Sequence, residues 1–307
     1  MSKEDAARLA FGPVLFNWAP ERWRDFYFHI ADEAPVDTVY LGEVVCAKRA
    51  PFIAPHLPTV IERLQAAGKE VVLSTLALIM DRRDAALVQD VIDAADGLLV
   101  EANDISAVAL LAGRPHVIGP FVNVYNEGTL QYLQANGAER VCLPVELPGR
   151  SIGHLAAGDA EIEVFAFGRL PLAISARCYH ARHHGLSKDG CQFVCDRDAD
   201  GLDLETLDGQ SFLALNGVQT LSHSCANLIG ELDTMRGQGI RRFRLSPHSG
   251  DMAAVARAFR SVLDGDADPV DANEVIQAQV GAMPMSNGYF FGEEGYRLRG
   301  LLANAAE

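Results

Sequence analysis

The fold is decided by three short apolar runs: TVYLGE (Thr38–Glu43), EVVLSTLA (Glu70–Ala77) and GLLVEA (Gly97–Ala102). Between them, residues 54–67 and 81–95 have the length and apolar spacing of amphipathic helices. Strands that alternate with helices indicate a parallel sheet with right-handed crossovers. Because this unit repeats roughly every 20–30 residues, the pattern favours an α/β fold of the (β/α) barrel type over an open sheet.

The alternation extends over most of the chain. We predict further strands at Pro13–Asn17, His116–Val124, Arg140–Val145, Glu161–Phe167 and Arg241–Ser246. We predict further helices at Pro20–Ala31, Asn103–Gly113, Glu127–Ala135, Asn227–Arg236 and Asp251–Leu263. The residues after Asp264 are expected to form a tail punctuated by proline and glycine. No glycine-rich phosphate fingerprint follows the first strand, which disfavours a dinucleotide-binding sheet.

One segment interrupts the barrel pattern. The dipeptides Asp200-Gly201, Asp208-Gly209 and Asn216-Gly217 separate three short apolar runs between Leu202 and Leu221. Asp-Gly and Asn-Gly are strong hairpin signals, so a small antiparallel insertion is expected here. We therefore predict one barrel-like domain over residues 1–307, with a cysteine-bearing loop and β-hairpin insertion at residues 178–222.

Composition narrows the class of protein. The chain has 307 residues, 49% hydrophobic and 22% charged, as expected for a soluble globular protein. Its formal charge of −15 disfavours long nucleic acids as partners, because phosphate binding depends on Lys and Arg. With no signal peptide and no apolar stretch of membrane-spanning length, a cytoplasmic location is expected. In that compartment the six cysteines are expected to be metal ligands or buried thiols, not disulfides.

Four cysteines are the main candidates for chemistry. Cys46 follows the predicted strand Thr38–Glu43, and Cys178, Cys191 and Cys195 form a C-x12-C-x3-C pattern. Thiolates are soft ligands that select zinc or iron–sulfur clusters. We predict that these four residues form one metal site that joins the two parts of the chain.

The identity of the metal stays open on spacing alone. His180, His183 and His184 lie between Cys178 and Cys191, so a zinc site of mixed Cys and His ligands is the rival interpretation. C-x3-C is less typical of zinc ribbons than C-x2-C, which favours iron–sulfur.

The two remaining cysteines are interpreted as non-ligands. Cys142 lies within a predicted strand that would bury it as a small apolar side chain. Cys225 is predicted to open a helix, where its thiol would be fairly reactive.

Polar residues at predicted strand ends mark the barrel face that carries chemistry in such folds. They are Asn17, Glu43, Glu101, Asn103, Asn123 and Glu146. Taken singly, each is more simply a solvated residue or a helix cap, and Asn103 is expected to cap the helix that follows it.

Basic residues gather near the thiols, despite the acidic overall balance. They are Lys48, Arg49, Arg177, Arg182 and Lys188. Four thiolates on a [4Fe–4S]2+ core carry a net charge of about −2, so nearby cations would stabilise such a centre. A solvated basic loop is the alternative interpretation.

Hydrolytic motifs are weak or missing. The sequence has no H-E-x-x-H, no P-loop and no kinase signature. Ser222, His223 and Ser224 are adjacent, but neighbouring Ser and His residues on a turn are common without any catalytic triad.

A longer motif resembles a known family. EVFAFGRLPLAISARC (Glu163–Cys178) is similar to the signature of the collagenase-like peptidase family. LGEVVCAKR (Leu41–Arg49), GPVL (Gly12–Leu15) and LNGVQT (Leu215–Thr220) resemble the members of that family that act in ubiquinone biosynthesis. The resemblance extends over nearly the whole chain.

The resemblance implies a [4Fe–4S] cluster bound by Cys46, Cys178, Cys191 and Cys195. It also implies a UbiU-like homologous subunit as heterodimer partner and a role in oxygen-independent hydroxylation of the ubiquinone ring. Prephenate is the implied oxygen donor, and a sterol-carrier-like protein the implied carrier of the lipid precursor.

The resemblance leaves several points open. Peptidase-like members carry His-Gly and Ser-Gly in the signature, whereas this chain has Phe167-Gly168 and Ser175-Ala176, which weakens any inference of proteolysis. Whether this subunit or its partner binds substrate is undecided. A zinc-stabilised scaffold and an RNA-hydroxylating or peptidase-like relative remain alternatives. Guanidinium groups suit carboxylates such as those of prephenate. The candidate substrate-binding residues are the cations Lys48, Arg49 and Arg177 and the strand-end residues Glu43, Glu101 and Asn123.

Overall fold

The computed structural model describes residues 6–300 and residue 302. Its strands, in chain order, are Arg8–Phe11 (β1), Thr38–Leu41 (β2), Glu70–Ser74 (β3), Leu99–Ala102 (β4), His116–Ile118 (β5), Ala138–Cys142 (β6), Glu161–Ile174 (β7), Leu202–Glu205 (β8), Ser211–Asn216 (β9), Gln219–Asn227 (β10), Arg242–Leu245 (β11) and Met285–Ser286 (β12).

Helices connect most of these strands. They are Pro20–Glu33 (α1), Ala50–Ile53 (α2), Leu57–Ala66 (α3), Arg82–Asp93 (α4), Ile105–Leu111 (α5), Glu127–Ala135 (α6), Gly149–Ala156 (α7), Tyr179–His183 (α8), Leu232–Gly237 (α9), Met252–Asp264 (α10) and Pro269–Val280 (α11). Short 3-10 turns occur at Ala47–Arg49, Ala54–His56, Val194–Arg197, Ile229–Glu231 and Gly288–Phe291. Among the helices described, none is both long enough and apolar enough to cross a bilayer.

Eight strands, β1 to β7 and β11, form a closed parallel barrel. Consecutive strands from β1 to β7 pair with each other, and β11 closes the ring by pairing with both β7 and β1. In β2 and β3, for example, Val39 lies opposite Val71. Parallel neighbours need a crossover on the outside of the barrel, which the helices supply. The predicted (β/α) barrel is confirmed.

The outer helices begin at capping side chains. Asp104 accepts a hydrogen bond from the backbone N–H of Ser106 and so starts α5. The prediction that Asn103 caps this helix is therefore wrong by one residue. Asn103 instead points inward and donates from its side chain to the backbone oxygen of Thr75 and to Glu101.

The extra strands lie outside the ring and attach to β7. Beyond the barrel, β7 continues to Ile174 and pairs antiparallel with β10, which in turn pairs with β9 and β9 with β8. Gly168 marks the point where β7 leaves the ring: its φ is +122°, and a Cβ there would lie 2.6 Å from the Cβ of Ser246. Only glycine fits this backbone and this close approach.

Charged side chains occupy part of the barrel interior. Arg244 pairs with Glu101 at 2.7 Å between Nη1 and Oε1, and its Nε donates to Glu163. The Tyr40 hydroxyl donates to the other oxygen of Glu163 at 2.9 Å, and the Arg244 guanidinium lies 4.0 Å from the centre of the Tyr40 ring. The network continues toward the strand starts through Glu70, Arg140, Glu161 and Arg242.

The first predicted strand is misplaced. Pro13–Asn17 was expected to be extended in the sheet, but the strand is Arg8–Phe11 and residues 13–17 form the loop that follows it. Gly12 still donates its backbone N–H to Leu245, whereas Pro13 has no N–H with which to continue the pairing.

The expected irregular tail contains a helix, α11. Asp268 caps its start by accepting from the backbone N–H of Val270, and Pro269 occupies its first turn. Asp followed by Pro is a typical helix-start signal, so the sequence contained this information.

The segment around Cys225 also differs from its prediction. Cys225 does not open a helix: it lies within β10, buried, opposite Met285 of β12. The helix predicted from Asn227 begins later, as a 3-10 turn at Ile229–Glu231 followed by α9.

Candidate metal centre

Four cysteines from two distant parts of the chain line one cavity. They are Cys46, Cys178, Cys191 and Cys195. None of them forms a disulfide; Cys195 is buried and the other three are half-buried. The fold therefore brings the thiol that follows β2 to the three thiols that follow β7.

Cys46 is positioned by a carboxylate in its own loop. One oxygen of Glu43 accepts the backbone N–H groups of Val45 and Cys46 at 2.8 and 2.9 Å, which fixes the turn that follows β2. Burial raises the pKa of the Glu43 carboxyl, while Arg49 and these two N–H groups lower it. Glu43 thus acts on the shape of the Cys46 loop.

The later thiols receive hydrogen bonds from nitrogen donors. Cys178 caps α8, and its sulfur accepts the backbone N–H of Ala181 at 3.4 Å. The side-chain amide of Asn17, at the mouth of the barrel, donates to the Cys195 sulfur at 3.5 Å. Such N–H donors stabilise a thiolate that binds metal.

The turn between Cys191 and Cys195 has an unusual backbone. Gln192 and Phe193 both have positive φ angles, 49° and 54°, although neither is glycine. Each left-handed residue costs about 1–2 kcal/mol. The Phe193 ring is held edge-on against Phe52, with ring centroids 4.8 Å apart. Backbone strain of this kind tends to cluster at functional sites.

Arg49 is a buried cation beside the cavity. Its side chain donates to the Leu15 carbonyl at 2.9 Å and to the Asn216 side chain at 3.0 Å. Burial opposes its charge, but nearby Glu43 and the Cys195 and Cys46 thiols raise its pKa, so the guanidinium stays protonated.

The approach to Arg49 requires a glycine. A Cβ on Gly217 would lie 2.5 Å from Arg49 Nη2, and Gly217 has a φ of +63°. The motif LNGVQT (Leu215–Thr220) therefore contains the glycine, Gly217, that leaves space for the buried guanidinium of Arg49.

The four thiols are not grouped as closely as the ligands of a single zinc ion would be. A single tetrahedral zinc with bonds of about 2.3 Å would hold its sulfurs roughly 3.8 Å apart. Among the described residues, no cysteine belongs to a group of three candidate ligand atoms that lie within 4.8 Å of one another. A cluster spreads its thiolates more widely, because each binds a different iron. Burial raises the pKa of the Cys46 and Cys178 thiols, so metal binding there must displace protons.

A basic pocket lies next to the thiols. Arg177, Arg182 and Lys188 line an open cavity of about 550 Å3 that borders Cys178. Lys48 faces the same loop, donating to the backbone oxygen of Lys188 at 2.8 Å. These cations, predicted from their sequence proximity to the cysteines, share one side of the site.

The other strand-end residues do not reach the thiols. Glu101 is 1% exposed and bound to Arg244 inside the barrel. Asn123 is exposed. Glu146 is also exposed and accepts a hydrogen bond from Tyr125.

Two of the three histidines lie together beside the thiols. His180 is fully buried, lines the cysteine cavity and has its Nε2 3.0 Å from a carboxylate oxygen of Asp198. Burial lowers the pKa of His180, partly offset by Asp198. His184 stacks on His180, with ring centroids 5.7 Å apart, whereas His183 is exposed. Asp198 was not predicted as a site residue, and only its position three residues after Cys195 marks it in the sequence.

Ser222 is a structural residue. Its hydroxyl donates to the Ser224 carbonyl and accepts the backbone N–H of Leu170 at 2.8 Å, holding β10 against β7. A nucleophilic role would need the hydroxyl hydrogen-bonded to a base.

Comparison with known proteins gives a family and two distant folds. The family model described as Peptidase family U32 matches residues 23–299. N-acetylneuraminate lyase from Fusobacterium nucleatum, solved with pyruvate, is 9% identical with a TM-score of 0.47, over 91% of this chain and 80% of the lyase. PbGH5A, a glycoside hydrolase family 5 enzyme from Prevotella bryantii B14, is 10% identical with a TM-score of 0.41, over 85% and 95% of the two chains. At this level of similarity neither structure informs the function.

Proposed function

The chain belongs to peptidase family U32, and from this premise we propose that it is an iron–sulfur subunit of an oxygen-independent hydroxylase. The observation that carries the proposal is the single cavity lined by Cys46, Cys178, Cys191 and Cys195. The proposed cofactor is one [4Fe–4S] cluster bound by these four thiolates. Such a cluster supplies one-electron transfer when bound.

The protein part of the site fits that role. The amides of Asn17 and Ala181 donate to two of the sulfurs, and Arg49 places a positive charge beside the thiols. Both effects stabilise the negative charge of a thiolate-bound centre and raise its reduction potential. Glu43 holds the loop that presents Cys46.

The proposed substrate class is a small anion with carboxylate groups. The open pocket lined by Arg177, Arg182 and Lys188 borders Cys178, so an anion held there would lie next to the cluster. Arginine forks match carboxylates in geometry as well as charge. Prephenate, a dicarboxylate, fits this description as the oxygen donor. Arg49 is excluded as a substrate contact by its burial and its protein partners.

Sequence motifs support a more specific proposal for the place of this chain within the family. LGEVVCAKR (Leu41–Arg49), GPVL (Gly12–Leu15) and LNGVQT (Leu215–Thr220) are similar to UbiV, a ubiquinone-biosynthesis member of the family. On this basis we propose a heterodimer with a UbiU-like subunit, hydroxylation of the ubiquinone ring and presentation of the lipid by a sterol-carrier-like protein. Each of these motifs contributes a residue to the cavity or its surroundings. Cys46 of LGEVVCAKR and Gly217 of LNGVQT line the cavity, and the Leu15 carbonyl of GPVL accepts a hydrogen bond from Arg49.

Proteolysis has no support in the site. The signature positions carry Phe167 and Ser175-Ala176, and Phe167 is buried. Ser222 and His223 lie in β10, where the Ser222 hydroxyl accepts from the backbone N–H of Leu170 and donates to the backbone carbonyl of Ser224.

The test is metal analysis of the full chain purified without oxygen, with and without its UbiU-like partner. We expect about four irons and four sulfides per chain, with a brown visible absorption, because the cluster type contains four of each. Cys191→Ala and Cys195→Ala should lose nearly all iron and sulfide.

Cys225→Ala is the matched control, because Cys225 is buried in β10 away from the cavity. It should keep the full iron and sulfide content. Stoichiometric zinc without sulfide in the wild type would overturn the proposal in favour of a zinc-stabilised scaffold. Undiminished iron and sulfide in Cys191→Ala would overturn the ligand assignment.

A further inference from the structure

We propose that His180, His184 and Asp198 form a separate site for one divalent transition-metal ion such as Zn2+. The candidate ligand atoms of these three residues lie within 4.8 Å of one another. In the described part of the chain they are the only such group of histidine, cysteine, aspartate and glutamate side chains. The inference rests on this geometry and does not depend on the proposed cluster.

The local fold explains why the three residues meet. His180 lies in α8 and His184 ends it, four residues later, so both imidazoles project from the same face of the helix. Two histidines at this spacing are a recurrent zinc-binding arrangement. Asp198 ends the 3-10 turn Val194–Arg197 and reaches His180 from the opposite side.

An unpartnered nitrogen points to a missing ligand. His184 Nε2 is shielded from solvent and has no hydrogen-bond partner among the described residues. Leaving a buried polar atom unpaired costs about 1–3 kcal/mol, so such atoms are rare in folded proteins. The hydrogen bond between His180 and Asp198 accounts for one nitrogen of His180 and for none of His184. An ion bound between the three side chains would use the free nitrogen of His184.

The donor set fits a transition metal. Imidazole nitrogens suit zinc, copper, iron and nickel, whereas calcium and magnesium prefer oxygen ligands alone. Bonds of about 2.0–2.1 Å place tetrahedral ligand atoms roughly 3.3 Å apart, so small side-chain rotations would close the site. Three protein ligands leave one position for water, as in catalytic zinc sites.

The position of the site suggests what the ion does for the fold. It would link α8, which begins just after Cys178, to the segment that follows Cys195. His180 also lines the cysteine cavity. A metal bound here would therefore hold together the two ends of the segment that carries three of the four thiols.

The test measures zinc uptake by the full chain after its thiols have been loaded with iron and sulfide. Excess ZnCl2 is added anaerobically, unbound ion is dialysed away and metals are counted by mass spectrometry. We expect one zinc per chain in the wild type and an affinity at least about 100-fold lower in His184→Ala and Asp198→Asn. His183→Ala is the matched control, because His183 is exposed and adjacent in sequence. It should bind zinc like the wild type.

A second variant separates this proposal from the cluster. When Cys46, Cys178, Cys191 and Cys195 are all replaced by serine, iron should be lost and one zinc retained. Zinc uptake that disappears in this variant while its thermal unfolding stays cooperative would place the ion at the thiols and overturn the inference. Equal zinc affinity in His184→Ala and His183→Ala would overturn it as well. If the cluster proposal fails but His184→Ala still loses one zinc equivalent relative to His183→Ala, the inference stands.

Discussion

Ionisable side chains gather in two buried regions, the barrel interior and the cysteine cavity, and the two regions differ in whether these groups pair with one another. Inside the barrel each of the four glutamates, Glu70, Glu101, Glu161 and Glu163, pairs with an arginine. At the cavity four free thiols face one space, with backbone and amide donors directed at two of the sulfurs. The charged groups of the barrel interior pair with one another, whereas the four thiols have no such ion-pair partners. The interior network is therefore structural, and the proposed metal site lies beside it.

The largest expected effect is on the barrel network. Arg244→Leu leaves Glu101 and Glu163 buried without their cation, and removing one partner of a buried ion pair costs about 3–5 kcal/mol. Urea denaturation of the metal-free protein should show this loss in the free energy of unfolding. Arg177→Leu, at an exposed position, should change it by less than about 0.5 kcal/mol. A loss below 1 kcal/mol in Arg244→Leu would mean that the interior network is not a structural core.

The second prediction compares thiols in the two regions. Cys142 lies in β6, fully buried beside Arg244 and Glu163, and burial raises its pKa well above the usual value for a thiol. Cys191 is half-buried in the cavity. In native metal-free protein at about pH 8, iodoacetamide should modify Cys191 at least about 100-fold faster than Cys142, because the thiolate is the reactive form.

Peptide mass spectrometry over a time course measures both rates in one sample. Cys225, whose pKa is raised to about 12 by burial, serves as a second protected thiol outside the barrel interior. Equal rates at Cys142 and Cys191 would remove the distinction between a closed interior and an accessible cavity.

The smallest predicted effect concerns Glu43, which supports the cavity. Burial raises its pKa above the ordinary 4.5, so the folded state holds the proton more tightly than the unfolded state. Its contribution to stability is present below pH 4.5 and is lost as the pH rises through the folded-state pKa. As the pH rises across this window, the wild type should therefore lose unfolding free energy relative to Glu43→Gln. The loss should be about 1.4 kcal/mol for each unit of pKa shift.

Urea denaturation of the metal-free proteins at a series of pH values from 4 upward measures this difference. Glu146→Gln provides a comparison at an exposed carboxyl outside the cavity. A difference between wild type and Glu43→Gln that stays constant over the series would show that the carboxyl is not perturbed by its burial.

Local patterns predicted most of the barrel. The predicted helix Glu127–Ala135 is correct at both ends, where Asn126 supplies a cap. The strands Thr38–Leu41 and Glu70–Ser74, each a clear apolar run, were predicted with the correct first residue. Each predicted strand extended two or three residues beyond the observed C-terminal end. Side-chain periodicity reports which residues are buried, but the last residues of a strand depend on where its neighbour ends.

The interior charge network was missed, although the sequence carried a signal for it. Glu161 and Glu163 in β7 lie two positions apart, as do Arg242 and Arg244 in β11, so each pair shares one face of its strand. Charges on one face with apolar residues on the other normally mean a solvent-exposed face. Here the polar face points into the barrel, and only closure of the ring between β7 and β11 pairs the glutamates with the arginines.

The sequence by itself determined the alternation of strands and helices, the family resemblance and the set of cysteines with a plausible role, because these depend on local spacing and residue chemistry. Tertiary structure alone decided which polar groups face one another. Closure of the barrel set the partners of Arg244, and the return of β10 along β7 brought Gly217 against Arg49. It also placed Asp198 against His180. Contacts between residues far apart in the chain depend on how the elements pack in three dimensions, which no local pattern specifies.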